Sequence, residues 1–133
     1  MLVLAPESVA FEGEAWSGVE SIAVDRVASK QVAEVGDLGP HVVFADVPEQ
    51  RGDVKVTRRI ERSELETVRP GDEGTLTFRA GFGWTDAGWS LVTIGVVVTR
   101  VAHVFDRNGV KRVVTMVGVS PDGSADPVVV EGV

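Results

Sequence analysis

The sequence predicts an all-β fold: an antiparallel β-sandwich or half-barrel with one short helix and long loops. Three observations carry this. Valine-rich runs alternate with a period of two, as strands with one buried face do. Clusters of Gly, Pro, Asn and Asp punctuate those runs. Stretches with the length and period of a helix are scarce. The clearest strand signal is Leu91 to Val119, two valine runs joined by Asp106-Arg107-Asn108-Gly109. Asn-Gly tolerates positive φ and suits the twist of a tight hairpin. By simple alternation the first arm sets Val96, Val98, Arg100, Ala102 and Val104 against Val97, Thr99, Val101, His103 and Phe105. The second sets Val113, Thr115, Val117 and Val119 against Arg112, Val114, Met116 and Gly118. Both faces carry apolar groups, so both are expected to be covered. Leu76, Phe78, Val96, Val98, Val101, Val114 and Val117 are the expected core.

The remaining elements follow in chain order. Val9 to Glu14 reads as a short edge strand. Trp16 to Ala28 is a strand whose imperfect alternation fits a bulge. Ser29 to Val35 continues it as a ribbon, Gly36 to Pro40 turns, and His41 to Val47 returns. Pro48 to Gly52 is expected to break that strand. Asp53 to Arg62 alternates cleanly, with Val54, Val56 and Ile60 opposite Lys55, Thr57, Arg59 and Glu61. Ser63-Glu64-Leu65-Glu66 fits a capping box, and Pro70-Gly71 limits any helix there to one or two turns. Thr75 to Ala80 alternates again. Gly81 to Gly88 reads as a loop with Phe82 and Trp84, Ser120 to Gly123 as a turn, and Val128 to Val130 as a closing strand.

At 133 residues the chain is expected to form a single domain, 1–133, with a substantial core. A hydrophobic fraction of 44% argues against disorder and is high for a small monomer. The formal charge of −7 disfavours tight grasping of nucleic acid. The absence of cysteine removes disulfide and thiolate chemistry. Met1 to Pro6 lacks the basic and long apolar regions of a signal peptide. No apolar run approaches the roughly 20 residues of a membrane-spanning helix.

No convergent acid, base and nucleophile emerges, so neither an enzyme nor a cofactor or metal site is expected. His41 and His103 each sit among valines, where packing or interface roles are usual. Asp72 with Glu73, and Asp122 with Asp126, lack calcium-loop spacing and read as turn chemistry. Gly81-Phe82-Gly83 lacks the later glycine and the helix of a phosphate loop. Arg51-Gly52-Asp53 reads as a tight turn rather than an adhesion tripeptide. Trp84 and Trp89 could line a carbohydrate or nucleobase site in a monomeric or dimeric ligand-binding domain, or anchor a subunit interface.

The order of the pieces resembles the phage tail tube protein family. The residues involved are the strand Val19 to Val27, the ribbon Lys30 to Gln50 with Val43-Phe44-Ala45-Asp46-Val47-Pro48, and Asp53 to Arg58. Pro70-Gly71 leading into Gly74 to Phe78, the valine hairpin, and Val119 to Gly123 before Asp126-Pro127 complete it. The short helix after Ser63 departs from members with a longer one and leaves room for a tail terminator or tube initiator. The resemblance implies a virion structural protein, assembled in the host cytoplasm, whose hexameric rings stack into a tube that conducts DNA during ejection. Its partners would be its own copies and other tail proteins, with DNA only as passing cargo and no membrane. Inter-subunit contacts would fall on Asp37, Leu38, His41, Val43, Phe44, Gln50 and Arg51. A polar, acidic bore would be lined from Glu20, Lys55, Thr57, Glu61, Thr75 and Thr77.

Overall fold

The computed structural model describes residues 1–65, 67–81 and 89–132. They form one antiparallel sheet of nine strands. The strands are β1 (Leu2–Leu4), β2 (Glu7–Phe11), β3 (Glu14–Ala15), β4 (Val19–Val35), β5 (Val42–Ile60), β6 (Glu73–Gly81), β7 (Trp89–Asp106), β8 (Gly109–Gly118) and β9 (Val128–Gly132). Their order is β1-β4-β5-β8-β7-β6-β2-β3, and β9 pairs with the first half of β7. Among the described residues the one helical element is a 3-10 turn, Arg62–Glu64. It starts earlier than the capping box at Ser63 predicts: the Glu61 amide donates to Glu64 Oε2 at 3.2 Å.

Outside the far halves of β4, β5 and β7, one face of every long strand is buried. Ile22, Val24, Val54, Val56, Leu76, Phe78, Val92, Ile94, Val96, Val98, Val114 and Met116 share a single core. A lone sheet buries a face only by curling on itself, and the crossover from β3 to β4 shows that closure. Trp16 stacks on Phe11 at 5.2 Å between centroids and lies 5.6 Å from the guanidinium of Arg58 on β5. Ser17 and Gly18 then offer their carbonyls to Arg58 Nε and the Arg59 amide.

Of the expected core, Leu76, Phe78, Val96, Val98 and Val114 are buried, whereas Val101 and Val117 are half-buried. A bulge at Thr99 explains the new register. Val98 pairs with Met116 but Arg100 pairs with Thr115, so the extra residue moves Val101 and His103 to the core side. Arg100, Ala102 and Val104 then join Thr115, Val113 and Lys111 on the outer face. Val117 lies on that face too, opposite Asp53.

Pro48 does not end the strand as its composition predicts; β5 runs through it. The register passes from Lys30↔Glu49 to Val32↔Asp46, leaving Pro48 at an irregularity where no ladder amide is needed. In place of a long loop, the chain therefore extends β4 and β5 together into a two-stranded ribbon beyond the curled body.

Two arginines are buried at the end of the core. Arg58 and Arg112 face each other across β5 and β8 and are 5% and 0% exposed. Arg112 donates to His103 Nε2 at 3.2 Å, to Thr67 Oγ1 at 3.0 Å and to the Glu64 carbonyl. Arg58 reaches Glu64 Oε1 at 3.2 Å. Among the described residues no buried side-chain nitrogen or oxygen lacks a hydrogen-bond partner, as burial of a guanidinium demands.

Candidate functional site: a protruding ribbon and a charge-divided outer face

The ribbon forms because β4 and β5 continue past the last strand able to cover them. Every residue from Asp25 to Arg51 is exposed except half-buried Gly36. Val27, Val32, Val35, Leu38, Val42, Val43, Phe44 and Val47 are all large apolar groups left open to solvent. Each aliphatic or phenyl group of this kind gains about 1.5–3 kcal/mol on full burial, so the ribbon leaves open an apolar surface of the kind that interaction sites carry. Its pairing gives it two unlike faces. Val32 stands opposite Asp46 and Glu34 opposite Phe44 on one face; Ala33 stands opposite Ala45 on the other. Lys30 stands opposite Glu49.

Asp37 and Leu38 lie at the exposed turn, His41 beside it, and Val43 and Phe44 on the returning strand. Gln50 and Arg51 lie at the root. There, with Arg26, Gly52, Gly118, Asp126 and Pro127, they line a cavity of about 430 Å³. Arg26 and Asp126 pair at 2.9 Å, as do Arg51 and Asp53 at 3.1 Å. The wall opposite the ribbon is a folded loop rather than a loose one. The amides of Ala125 and Ser124 bind the Asp122 carboxylate and lower its pKa to about 2. The Val128 amide, and then Arg26, lower that of Asp126.

The expected bore residues separate into groups. Glu20 is half-buried and held between Arg59 and Lys111, each at 3.1 Å. Lys55 and Thr57 lie on the outer face of β5, and Glu61 lies beyond that strand at the start of the 3-10 turn. Thr75 and Thr77 lie on the outer face of β6, across from Gly95 and Thr93.

Pairing places these outer-face residues among charges that no single strand displays. Cross-strand rows run Ala23–Lys55–Thr115–Arg100 and Ser21–Thr57–Val113–Ala102, with Arg59 beside Lys111 in the next. Arg59 and Lys111 are engaged by Glu20, and Asp25 and Asp53 form the row beyond Ala23–Lys55, so the open cations of this half are Lys55 and Arg100. The half built on β2, β6, β9 and the start of β7 is acidic. Glu7, Glu12, Glu73 and Glu131 lie there with Arg79 as the cation, around Thr75, Thr77 and Thr93. An open trough of about 610 Å³ borders it, lined by Glu12, Glu73, Thr75, Thr93 and Asp126.

Arg100, Lys111 and Thr115 were not legible as one surface, because neither the strand order nor the bulge at Thr99 is written in a local motif. Phe82 and Trp84 lie outside the described residues, as does the side chain of Trp89. Among the described residues no three His, Asp or Glu side chains converge to hold a metal ion. None of the described helices is long and apolar enough to cross a membrane. No protein-family model matches the chain, and no curated protein matches it.

Proposed function

We propose that the protein is a structural subunit of a homo-oligomeric ring, a hexamer by its resemblance to phage tail tube proteins, that stacks into a DNA-conducting virion tube. The observation that carries this reading is the ribbon: an extended strand pair, exposed along its length, with valines, Leu38 and Phe44 turned to solvent. A monomer gains nothing from such an element, whereas a neighbouring copy covers it and removes its unpaired edges. The acidic, threonine-bearing half of the outer face supplies the bore wall. Phosphates would be repelled there over a screening length of about 8–10 Å, so DNA slides rather than sticks. Glu20, Lys55 and Thr57 suit that wall less well, because Glu20 is neutralised by Arg59 and Lys111 and Lys55 stands in one row with Arg100. Other tail proteins would cap the tube, and DNA would be cargo.

Negative-stain imaging and sedimentation of the purified protein test this directly. Rings or tubes are expected. Deleting 36–40 should leave a folded protein that no longer polymerises. A small particle at every concentration overturns the ring, and full-length tubes from the deletion overturn the role of the ribbon.

A further inference from the structure

We propose that the acidic face of one copy's ribbon seats on the Lys55–Thr115–Arg100 row of a second copy's outer sheet face. The contact would centre on Glu34 and Asp46 meeting Lys55 and Arg100. This rests on the reading that copies assemble through the ribbon, and it names the surface that receives it.

Charge complementarity selects the two faces. Asp25 at the root pairs with the N-terminal amine and Lys30 stands opposite Glu49, so the ribbon's remaining acids are Glu34, Asp37 and Asp46. Glu34 and Asp46 share a face with Phe44 and Val32, and the opposite face presents Ala33 and Ala45 without charge. A ribbon that docks by charge must therefore present the Glu34–Asp46 face. On the body, Lys55 and Arg100 are exposed and flank Thr115 on its two neighbouring strands. Neither makes an ion pair among the described residues, whereas Arg59 and Lys111 are already engaged by Glu20. The next row, Thr57–Val113–Ala102, is half-buried and apolar enough to receive Phe44 and Val32.

The spacings agree. Lys55 and Arg100 stand two strand intervals apart, about 10 Å at their backbones. Glu34 and Asp46 are diagonal neighbours on the ribbon, about 7–8 Å apart. Long lysine and arginine side chains close that difference. The ribbon cannot reach its own body face, because β4 and β5 stay paired from the body through the root and hold it extended. The occupant is thus a second copy, and the contact is heterologous, as ring closure or stacking requires.

The test is a charge exchange. K55E/R100E and E34K/D46K change exposed side chains only, so both should keep the wild-type circular dichroism and melting temperature. Each alone should raise the concentration for half-assembly roughly tenfold or more, the scale of a few cross-interface pairs turned repulsive. Mixed in equal amounts they should co-assemble, since each then offers the other an opposite charge. Wild-type assembly should weaken as salt rises. If both variants assemble like the wild type, this contact is wrong while the ring reading stands. Loss of assembly by both without rescue on mixing also overturns the pairing. A wild-type protein that is monomeric throughout overturns the contact and the ring together. If K55E/R100E assembles normally but loses affinity for a DNA duplex, the Lys55–Arg100 row serves nucleic acid and the proposal fails.

Discussion

Gly18→Ala isolates the crossover on which sheet closure depends. Gly18 has φ +71° and its carbonyl accepts the Arg59 amide at 3.0 Å. An alanine Cβ there would come to 2.9 Å from the Arg59 carbonyl oxygen. That oxygen belongs to backbone fixed between β4 and β8, so it cannot swing aside. The left-handed conformation costs alanine about 1–2 kcal/mol, and the contact adds about 1–3 kcal/mol of overpacking strain. Lower unfolded-state entropy returns about 0.4–1 kcal/mol. The net expectation is about 1–4.6 kcal/mol, centred on about 3 kcal/mol. Gly71→Ala is the matched control: φ is +96° and no atom lies within 4 Å of the added Cβ. It should lose only about 1 kcal/mol. Urea denaturation of both variants and the wild type, with common slopes, gives the comparison. Equal losses for the two variants would refute the argument that the Arg59 carbonyl closes off this site.

Two further outcomes follow from the packing and the buried polar cluster. Phe78→Ala should cost about 3–5 kcal/mol, because Phe78 is fully buried, whereas Val117→Ala on the outer face should cost under half as much; similar losses in urea titrations would contradict the face assignment. His103 is held below its ordinary pKa by burial first and then by the Arg112 guanidinium. The unfolded chain therefore binds the extra proton first, and stability present above the unfolded value of about 6.5 falls as pH drops toward the folded value. His103→Gln keeps an acceptor for Arg112 and does not titrate, so its urea midpoint should fall less than the wild type's between pH 7 and pH 5. A parallel fall would remove His103 from that role.

The alternation of Asp53 to Arg62 and of Thr75 to Ala80 was legible because each strand has one apolar face and its neighbours enforce the period. Asn108-Gly109 likewise marks its hairpin correctly, with Gly109 at φ +125°. The faces of the valine hairpin were legible along its second arm, with Arg112, Val114 and Met116 on the buried side, but along its first arm only as far as Val98. With valine or threonine on both sides, nothing local announces the bulge at Thr99, and the core side is decided by cross-strand partners on β8. Pro48 misleads for a related reason: a missing amide is harmful only where the ladder needs it. The ribbon was legible as an extension from Ser29 to Val47, whereas the divided charge of the outer face was not. That pattern arises from strands distant in sequence, Lys55 beside Thr115 beside Arg100.

The buried arginine pair has a consequence for folding fidelity. β5, β7 and β8 are so rich in valine that sliding one past another by two residues exchanges like for like along most of the core face. Such slipped sheets would compete closely with the native one on apolar burial alone. Arg112 removes that degeneracy. Moved two places along β5 it would face Val56 or Ile60 instead of Arg58, and its guanidinium would leave the Glu64 carbonyl and Thr67 behind. A buried cation stripped of partners costs on the order of 3–5 kcal/mol, a large share of the stability of a small domain. The cation thus acts as an indexing pin, admitting one alignment of three nearly repetitive strands and fixing where the ribbon starts.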